Sequence, residues 1–177
     1  MLKHLLLLAC LGLASCSDID VQHYKDEKPT LELREYFGGK VEAWGMFQKR
    51  SGEVIKRFHV DINGYPKGEQ FILDERFTYS DGTKQQRVWT LTQDGPGRWR
   101  GRADDVVGEA IGEVSGNALR WQYVLSLPVD GKVYEVNFDD WMYMLDENTL
   151  ANRSYMTKFG FELGQVTLFF RKQPKAE

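Results

Sequence analysis

Residues 119–131 read LRWQYVLSLPVDG. Large apolar side chains occupy every second position of this stretch: Leu119, Trp121, Tyr123, Leu125 and Leu127. Because successive side chains of a β-strand point to opposite faces, this period of two predicts a strand with one apolar face. Asp130-Gly131 follows, and an Asp-Gly pair is a strong hairpin signal because both positions tolerate a positive φ. The stretch therefore predicts a hairpin that buries one of its faces.

The same alternation recurs earlier in the chain. Asp81-Gly82 separates two more strand-like segments, and Arg50-Ser51-Gly52 separates another two. Apolar residues again share single faces: Phe71, Leu73, Phe77 and Tyr79 in one segment, and Val54, Phe58, Val60 and Ile62 in another. Further turn signals stand at Gly64-Tyr65-Pro66, Gly95-Pro96-Gly97 and Ser115-Gly116-Asn117. The pattern predicts about ten strands, over residues 42–49, 53–62, 69–80, 83–92, 98–103, 106–114, 119–129, 132–145, 151–159 and 165–172.

The spacing of these segments predicts the fold class. No stretch keeps a helical period for long, apart from one turn near residues 33–37. We therefore expect an all-β domain, an antiparallel meander of about ten strands that forms a closed or nearly closed barrel. Such a barrel is either filled by its own side chains or holds one small ligand, and an aromatic content of 13% is enough for both.

The N-terminus predicts export and lipid attachment. A basic start at Lys3 precedes an apolar run over residues 5–13 and the small residues Ala14-Ser15, which is the secretory signal pattern. The run is shorter than the ~20 apolar residues that span a bilayer. Leu13-Ala14-Ser15-Cys16 resembles the bacterial lipobox, which implies cleavage before Cys16 and acyl chains such as palmitate on that cysteine. An ordinary signal peptide with a chance cysteine is the alternative.

These signals divide the chain into a signal peptide (residues 1–15), a polar lipidated linker (16–30) and a barrel domain (31–177). Ser17 after the lipidated cysteine favours transfer to the outer membrane, facing the periplasm of the bacterial envelope. Cys10 leaves with the signal peptide, so we expect no disulfide in the mature domain. Removal of Lys3 changes the net charge from −3 to −4, which argues against nucleic acid as a partner.

Catalytic and cofactor signals are weak. Asp139-Asp140 is the most conspicuous carboxylate pair, but neighbours on one strand point to opposite faces and cannot share a site without a bulge. We expect one of the two to face water and the other to bind a turn or an arginine. His59 shares a face with Arg57 and Asp61, which favours a surface polar ladder over a metal site. We predict no cofactor, no metal and, on balance, no enzymatic activity.

Several segments resemble one known family. They are similar to the DUF3833 family over residues 31–170, and they are Phe37-Gly38-Gly39, Ala43-Trp44-Gly45, Asp81-Gly82 with Trp89, Gly116-Asn117-Ala118, Phe138-Asp139-Asp140-Trp141-Met142-Tyr143, Asn152-Arg153 and Lys158-Phe159-Gly160. The resemblance implies a bacterial lipoprotein with a lipocalin-like barrel. It implies no activity, substrate or catalytic residue.

The best-matching segments suggest a ligand site. Trp44, Trp141, Asn152 and Arg153 put aromatic or polar side chains there, and we expect them to lie together around the interior or mouth of the barrel. Arg153 would then meet a ligand anion, or it would form an ion pair with Asp139 or Asp140. The expected function is binding of a lipid or other apolar small molecule. The alternative is a structural or assembly factor with a filled barrel that docks other envelope proteins.

Overall fold

The computed structural model describes residues 19–129 and 131–173. Cys16, the predicted signal peptide and Asp130 lie outside the described residues. The described chain forms ten strands: β1 (Gly39–Lys49), β2 (Val54–Lys67), β3 (Gln70–Tyr79), β4 (Lys84–Gln93), β5 (Arg98–Arg102), β6 (Ala110–Ser115), β7 (Ala118–Val129), β8 (Lys132–Met144), β9 (Thr149–Lys158) and β10 (Phe161–Lys172). A 3₁₀ helix, η1 (Val21–Tyr24), and a short α-helix, α1 (Leu33–Phe37), precede them.

The strands form one closed antiparallel barrel. Each strand pairs with the next in sequence, and β1 pairs with β10 to close the ring. Gly82 and Gly131 have φ values of 82° and 75°, as the hairpin signals require. The alternating side chains of β7, from Leu119 to Leu127, all line the interior. The predicted all-β meander is therefore confirmed.

Several strand boundaries differ from the predicted ones, including those of β1 and β10, which begin at Gly39 and Phe161 instead of residues 42 and 165. Strand β2 runs through Gly64-Tyr65-Pro66, where we expected a turn, and ends at Lys67. Pro66 is tolerated because β1 pairs with β2 only as far as Gly64, so the missing Pro66 amide lies on an edge. Strand β6 begins at Ala110 instead of residue 106, and residues 103–109 form a loop with a single bridge from Val106 to Leu125.

Helix α1 covers one end of the barrel, which we call the closed end. Its residues Leu33, Tyr36 and Phe37 are buried. The Tyr36 hydroxyl lies within donating distance of the carbonyl oxygens of Asn148 (3.1 Å) and Phe170 (3.3 Å), which ties the helix to the β8–β9 turn and the last strand. The helical turn expected near residues 33–37 is confirmed. The opposite end, which holds the β1–β2, β3–β4, β7–β8 and β9–β10 turns, is called the mouth.

The described part of the predicted linker, residues 19–30, packs on the outside of the barrel. Val21 is buried against Ala118 and Trp141, and the ring of Tyr24 lies 5.2 Å from that of Tyr143. Residues three apart in a 3₁₀ helix lie on the same side, so Val21 and Tyr24 both face the sheet. This segment therefore differs from a free spacer. None of the helices in the described ranges is long and apolar enough to cross a membrane.

Candidate functional site: the barrel cavity

The barrel encloses a cavity of about 170 Å³. Its walls are mainly aromatic and aliphatic, with contributions from α1 and from most strands. The largest lining side chains are Phe37, Phe47, Phe58, Phe77, Tyr79, Trp89, Trp121, Tyr123, Phe138 and Phe170. Side chains near the closed end, such as Leu33 and Leu73, are buried, whereas Tyr79 and Leu127 near the mouth are partly exposed. The cavity therefore meets solvent at the mouth.

Aromatic rings packed over glycines fill part of the interior. A Cβ at Gly112 or Gly101 would lie 2.2 Å or 2.4 Å from the ring of Trp121, and one at Gly45 would lie 2.4 Å from that of Phe58. The three glycines thus make room for two large rings that a barrel of ordinary residues could not hold.

A polar group interrupts the apolar wall. Asp140 is buried, and its Oδ1 accepts a short hydrogen bond from the Ser154 hydroxyl. Its Oδ2 accepts from the Tyr123 hydroxyl at 3.4 Å. Glu75 also lines the cavity and accepts a hydrogen bond from the Trp89 indole. Two carboxyl groups therefore face the same apolar space and are hydrogen-bonded by neutral donors.

Arg87 supplies the positive charge of this wall. Its Nε and Nη2 bind both oxygens of Asp105, with the shortest distance, 2.8 Å, from Nη2 to Oδ2. Asp105 belongs to the loop over residues 103–109. Strands β5 and β6 are short and leave the mouth-side halves of β4 and β7 without strand partners, and this loop covers the barrel there. The Arg87–Asp105 pair therefore holds this loop against the wall of the cavity.

Burial changes the ionisation of both carboxyl groups. Desolvation is the main cause that raises the pKa of Glu75 to about 7, against a partial opposing effect of the Arg87 charge. Desolvation likewise raises the pKa of Asp140 to about 7, although its bond from Ser154 acts in the opposite direction. Both groups are consequently poised to gain or lose a proton near neutral pH.

The structure brings only one of the four predicted ligand residues into the interior. Asn152 is buried and lines the cavity. Trp44 is 47% exposed on the outer face beside His59, Trp141 packs under η1, and Arg153 hydrogen-bonds Gln165 at 2.7 Å on the outside. The expectation that the four surround one ligand was wrong. Strand alternation explains this, because Trp141 and Arg153 directly follow and therefore oppose the inward-facing Asp140 and Asn152.

Alternation also separates the two conspicuous aspartates, as expected. Asp139 faces outward and pairs with Arg120 at 2.7 Å, while Asp140 faces inward. The predicted ion pair of Arg153 with Asp139 or Asp140 was wrong. Arg153 instead lies over the Tyr155 ring, 5.2 Å from its centroid.

The sequence reasoning missed Glu75, Arg87, Tyr123 and Ser154 as parts of one site. The sequence does contain a signal for two of these residues. Glu75 stands between Leu73 and Phe77 on a strand face that is otherwise apolar, and Arg87 stands two residues before Trp89 on another. A charged residue at an inward position of an apolar face is the feature that marks this site.

His59 belongs to a polar cluster on the outer face. Its Nε2 lies 3.6 Å from Glu42 Oε1 and its Nδ1 lies 3.9 Å from Asp61 Oδ2. Ligand atoms of the three residues lie within 4.8 Å of one another. The outer-face polar cluster therefore contains His59 and Asp61, as expected, with Glu42 in addition. The three side chains offer ligand atoms close enough together to hold a metal ion.

A protein-family model described as "Protein of unknown function (DUF3833)" matches residues 10–172. The chain belongs to the DUF3833 family. The match covers every strand of the barrel and also Cys16. No curated protein matches the sequence.

Two solved structures show how the barrel of this DUF3833 chain relates to known folds. Rv2717c from M. tuberculosis shares 14% identity over 84% of this chain and 100% of its own, with a TM-score of 0.59. The S-type phycobiliprotein lyase CPES from Guillardia theta shares 8% identity over 82% of this chain and 95% of its own, with a TM-score of 0.55. At these identities the likeness shows a common barrel fold.

Proposed function

We propose that this DUF3833 barrel binds a lipid or other apolar small molecule inside its cavity. The observation that carries the proposal is an interior void with aromatic walls, a few inward polar groups and an opening at one end. Small-molecule sites generally combine an apolar lining with a few placed polar groups. A barrel that served only as a rigid scaffold would gain stability by filling this space with side chains.

The volume of the cavity limits the size of the ligand. At about 170 Å³, the cavity is close to the roughly 150 Å³ of an engineered cavity that binds benzene. It is smaller than the ~300–1,000 Å³ of sites that enclose drug-sized molecules. The bound part is therefore a single ring or a single short alkyl chain, and a larger lipid would leave most of its length outside the mouth.

A direct test fills the cavity and measures binding. Leu127→Trp places a larger ring among the lining residues, and Ile111→Trp adds the same ring on the outer face, where Ile111 is 53% exposed. The neutral fluorescent probe N-phenyl-1-naphthylamine can place one ring in the cavity and leave the rest at the mouth. We expect its binding to the Leu127→Trp protein to be at least tenfold weaker and its binding to the matched control to be unchanged. Equal binding by both variants would overturn the proposal. As an independent measurement, mass spectrometry of the gently extracted protein would identify a co-purifying lipid.

A docking role is a second candidate, because apolar side chains are exposed at the mouth. Phe159 is 86% exposed, Phe161 71% and Val133 69%, and all three lie in or beside the turns of adjacent hairpins. Exposed apolar clusters often mark contact sites. Replacement of the three by serine would weaken co-purification of an envelope protein if docking is the function, and would leave probe binding in the cavity unchanged.

We also propose that the barrel is anchored to the bacterial envelope by lipid on Cys16, at the outer membrane. The lipobox-like sequence supports this. Cys16 lies three positions before Ile19, a reach of about 10 Å at full extension. Because η1 is packed on the sheet, an anchored barrel would stay close to the bilayer surface.

Labelling with a fatty acid should mark the wild type but not Cys16→Ser, and Ser17→Asp should shift the protein to the inner membrane fraction. A labelled Cys16→Ser protein would refute the anchor.

A further inference from the structure

The charges that face the cavity are unbalanced. Glu75 and Asp140 both line it, and Arg87 is the basic side chain among its described lining residues. Arg87 is already neutralised, because two of its nitrogens bind both oxygens of Asp105. The site therefore holds one satisfied ion pair and two further carboxyl groups.

Those two carboxyl groups have capacity for more hydrogen bonds. Asp140 accepts from Ser154 and Tyr123, and Glu75 accepts from Trp89. A carboxylate has about four acceptor positions, and none of these donors carries a charge. A ligand that brought a cationic donor would satisfy free acceptor positions and neutralise charge in a poorly solvated space, where ion pairing is strong. A ligand carboxylate would instead meet two groups of its own sign.

We propose that the polar end of the ligand is a protonated amine, held between the carboxylates of Glu75 and Asp140, with its alkyl or aromatic part among the rings of the cavity. This rests on the proposed function and specifies its ligand class. The head group donates to the carboxylate oxygens, and the Arg87–Asp105 pair stays intact during binding.

The arrangement predicts how binding depends on pH. The titratable groups that face the site are Glu75 and Tyr79 of β3, Arg87 of β4, Asp105 of the following loop, Tyr123 of β7 and Asp140 of β8, while β1, β2, β9 and β10 line it with neutral side chains. The carboxyl groups with pKa values raised to about 7 must lose their protons to receive an ammonium. Amine binding therefore strengthens as the pH rises from 6 to 8, whereas binding of an uncharged alcohol stays constant.

Three ligands with one chain length test the charge preference. Octylamine, octanol and octanoate compete with N-phenyl-1-naphthylamine for the full-length protein at pH 8 and pH 6. We expect octylamine to displace the probe at a concentration at least tenfold below that of octanoate at pH 8, and to lose most of this advantage at pH 6. Octanoate that binds as well as octylamine would overturn the inference.

Isosteric variants assign the preference to named residues. Asp140→Asn and Glu75→Gln remove one charge each from the cavity, and Asp139→Asn removes one from the outer face of the same strand as a matched control. The two interior variants should lower octylamine affinity about tenfold and leave octanol affinity unchanged, and Asp139→Asn should change neither. An amine preference that survives in both interior variants would refute the site, with the proposed function intact. If neither the probe nor octanol binds the wild type, the proposed function fails and the amine site fails with it.

Discussion

The closed end and the mouth of the barrel differ in what covers them. At the closed end, α1 lies across the opening, and Phe37 packs edge-on to Phe170 with ring centroids 5.8 Å apart. At the mouth, the side chains of Phe159 and Phe161 extend into solvent without a helix above them. The same ring of strands thus has a sealed end that contributes core packing and an open end through which the cavity is reached. The difference indicates that the core packing of α1 and the opening of the cavity lie at opposite ends.

The largest expected effect comes from the closed end. Phe37→Ala removes a buried ring that contacts both α1 and the last strand, and it should destabilise the fold by about 3–5 kcal/mol. Phe159→Ala, the matched change at the mouth, should stay within about 0.5 kcal/mol because the ring is already exposed. Chemical denaturation of both variants gives the two values. A similar loss of unfolding free energy in both variants would show that the two ends contribute equally to stability.

A smaller effect is expected at the loop beside the mouth. Asp105→Ala leaves Arg87 without its carboxylate partner in the cavity wall, where the two side chains are 26% and 14% exposed. We expect a loss of roughly 3 kcal/mol, since removing one partner of a largely buried pair leaves the other charge uncompensated. Glu53→Ala breaks the exposed Lys49–Glu53 pair at the mouth and should cost less than about 1 kcal/mol. Comparable losses in thermal melts would contradict this account of the loop.

Per pH unit, the change in stability should be smaller again, because each proton that only the folded state binds changes it by at most about 1.4 kcal/mol. The pKa values of Glu75 and Asp140 rise on folding from 4.5 and 3.8 to about 7, so the folded state binds more protons than the unfolded state between these values. Their contribution to stability is present below pH 4 and is lost as the pH rises through 7. The wild type should therefore lose stability between pH 5 and pH 8, and the double variant Glu75→Gln/Asp140→Asn should lose less. Equal slopes in melts at several pH values would rule out these two groups as the cause.

The smallest effect is expected at the position that sequence reasoning favoured. Arg153→Ala should change stability by less than about 0.5 kcal/mol and should leave probe binding unaltered, because Arg153 contacts Gln165 and Tyr155 on the outer face. Asn152→Ala, one residue away, removes an inward amide that donates to the Trp141 carbonyl at 3.4 Å and should alter probe affinity. Titration of the two variants side by side measures this contrast. A large binding loss in Arg153→Ala alone would reverse the assignment of faces.

The fold was predictable because its signals are local. Asp81-Gly82 and the alternation from Leu119 to Leu127 each act within a few residues, and the meander joins only neighbouring segments. The end of β2 at Lys67 was not predictable in the same way. In the sequence, Gly64 and Pro66 indicate a turn. Only the structure shows that β2 pairs with β1 no further than Gly64, so that Pro66 lies where no β1 partner needs its amide.

The candidate site was harder to predict because it is assembled from strands far apart in sequence. Glu75 and Asp140 come from β3 and β8, and no local pattern says that these strands face each other across the interior. The prediction instead relied on family-matching segments, and those contain Trp44 and Trp141, whose side chains lie outside the barrel. Side chains an even number of positions apart on a strand share a face, so counting from neighbouring apolar residues would have placed each side chain on its proper face.

The pairing of β1 with β10 has a consequence for how the barrel forms. All other strand pairs join consecutive strands, but this one joins the first strand to the last, and Val41 lies opposite Lys172. Until β10 arrives, β1 and β9 are open sheet edges that can pair with other chains. Ring closure is therefore the slow, high-contact-order event, and it requires β10, the last strand of the described residues. The two strand ends lie together, since the Gln173 amide donates to the Lys40 carbonyl at 2.9 Å. A circular permutant that starts at the β5–β6 loop and links β10 directly to β1, with the residues before β1 left out, would turn this late pairing into an ordinary hairpin. It should close its ring faster but lose the packing of α1 on the closed end.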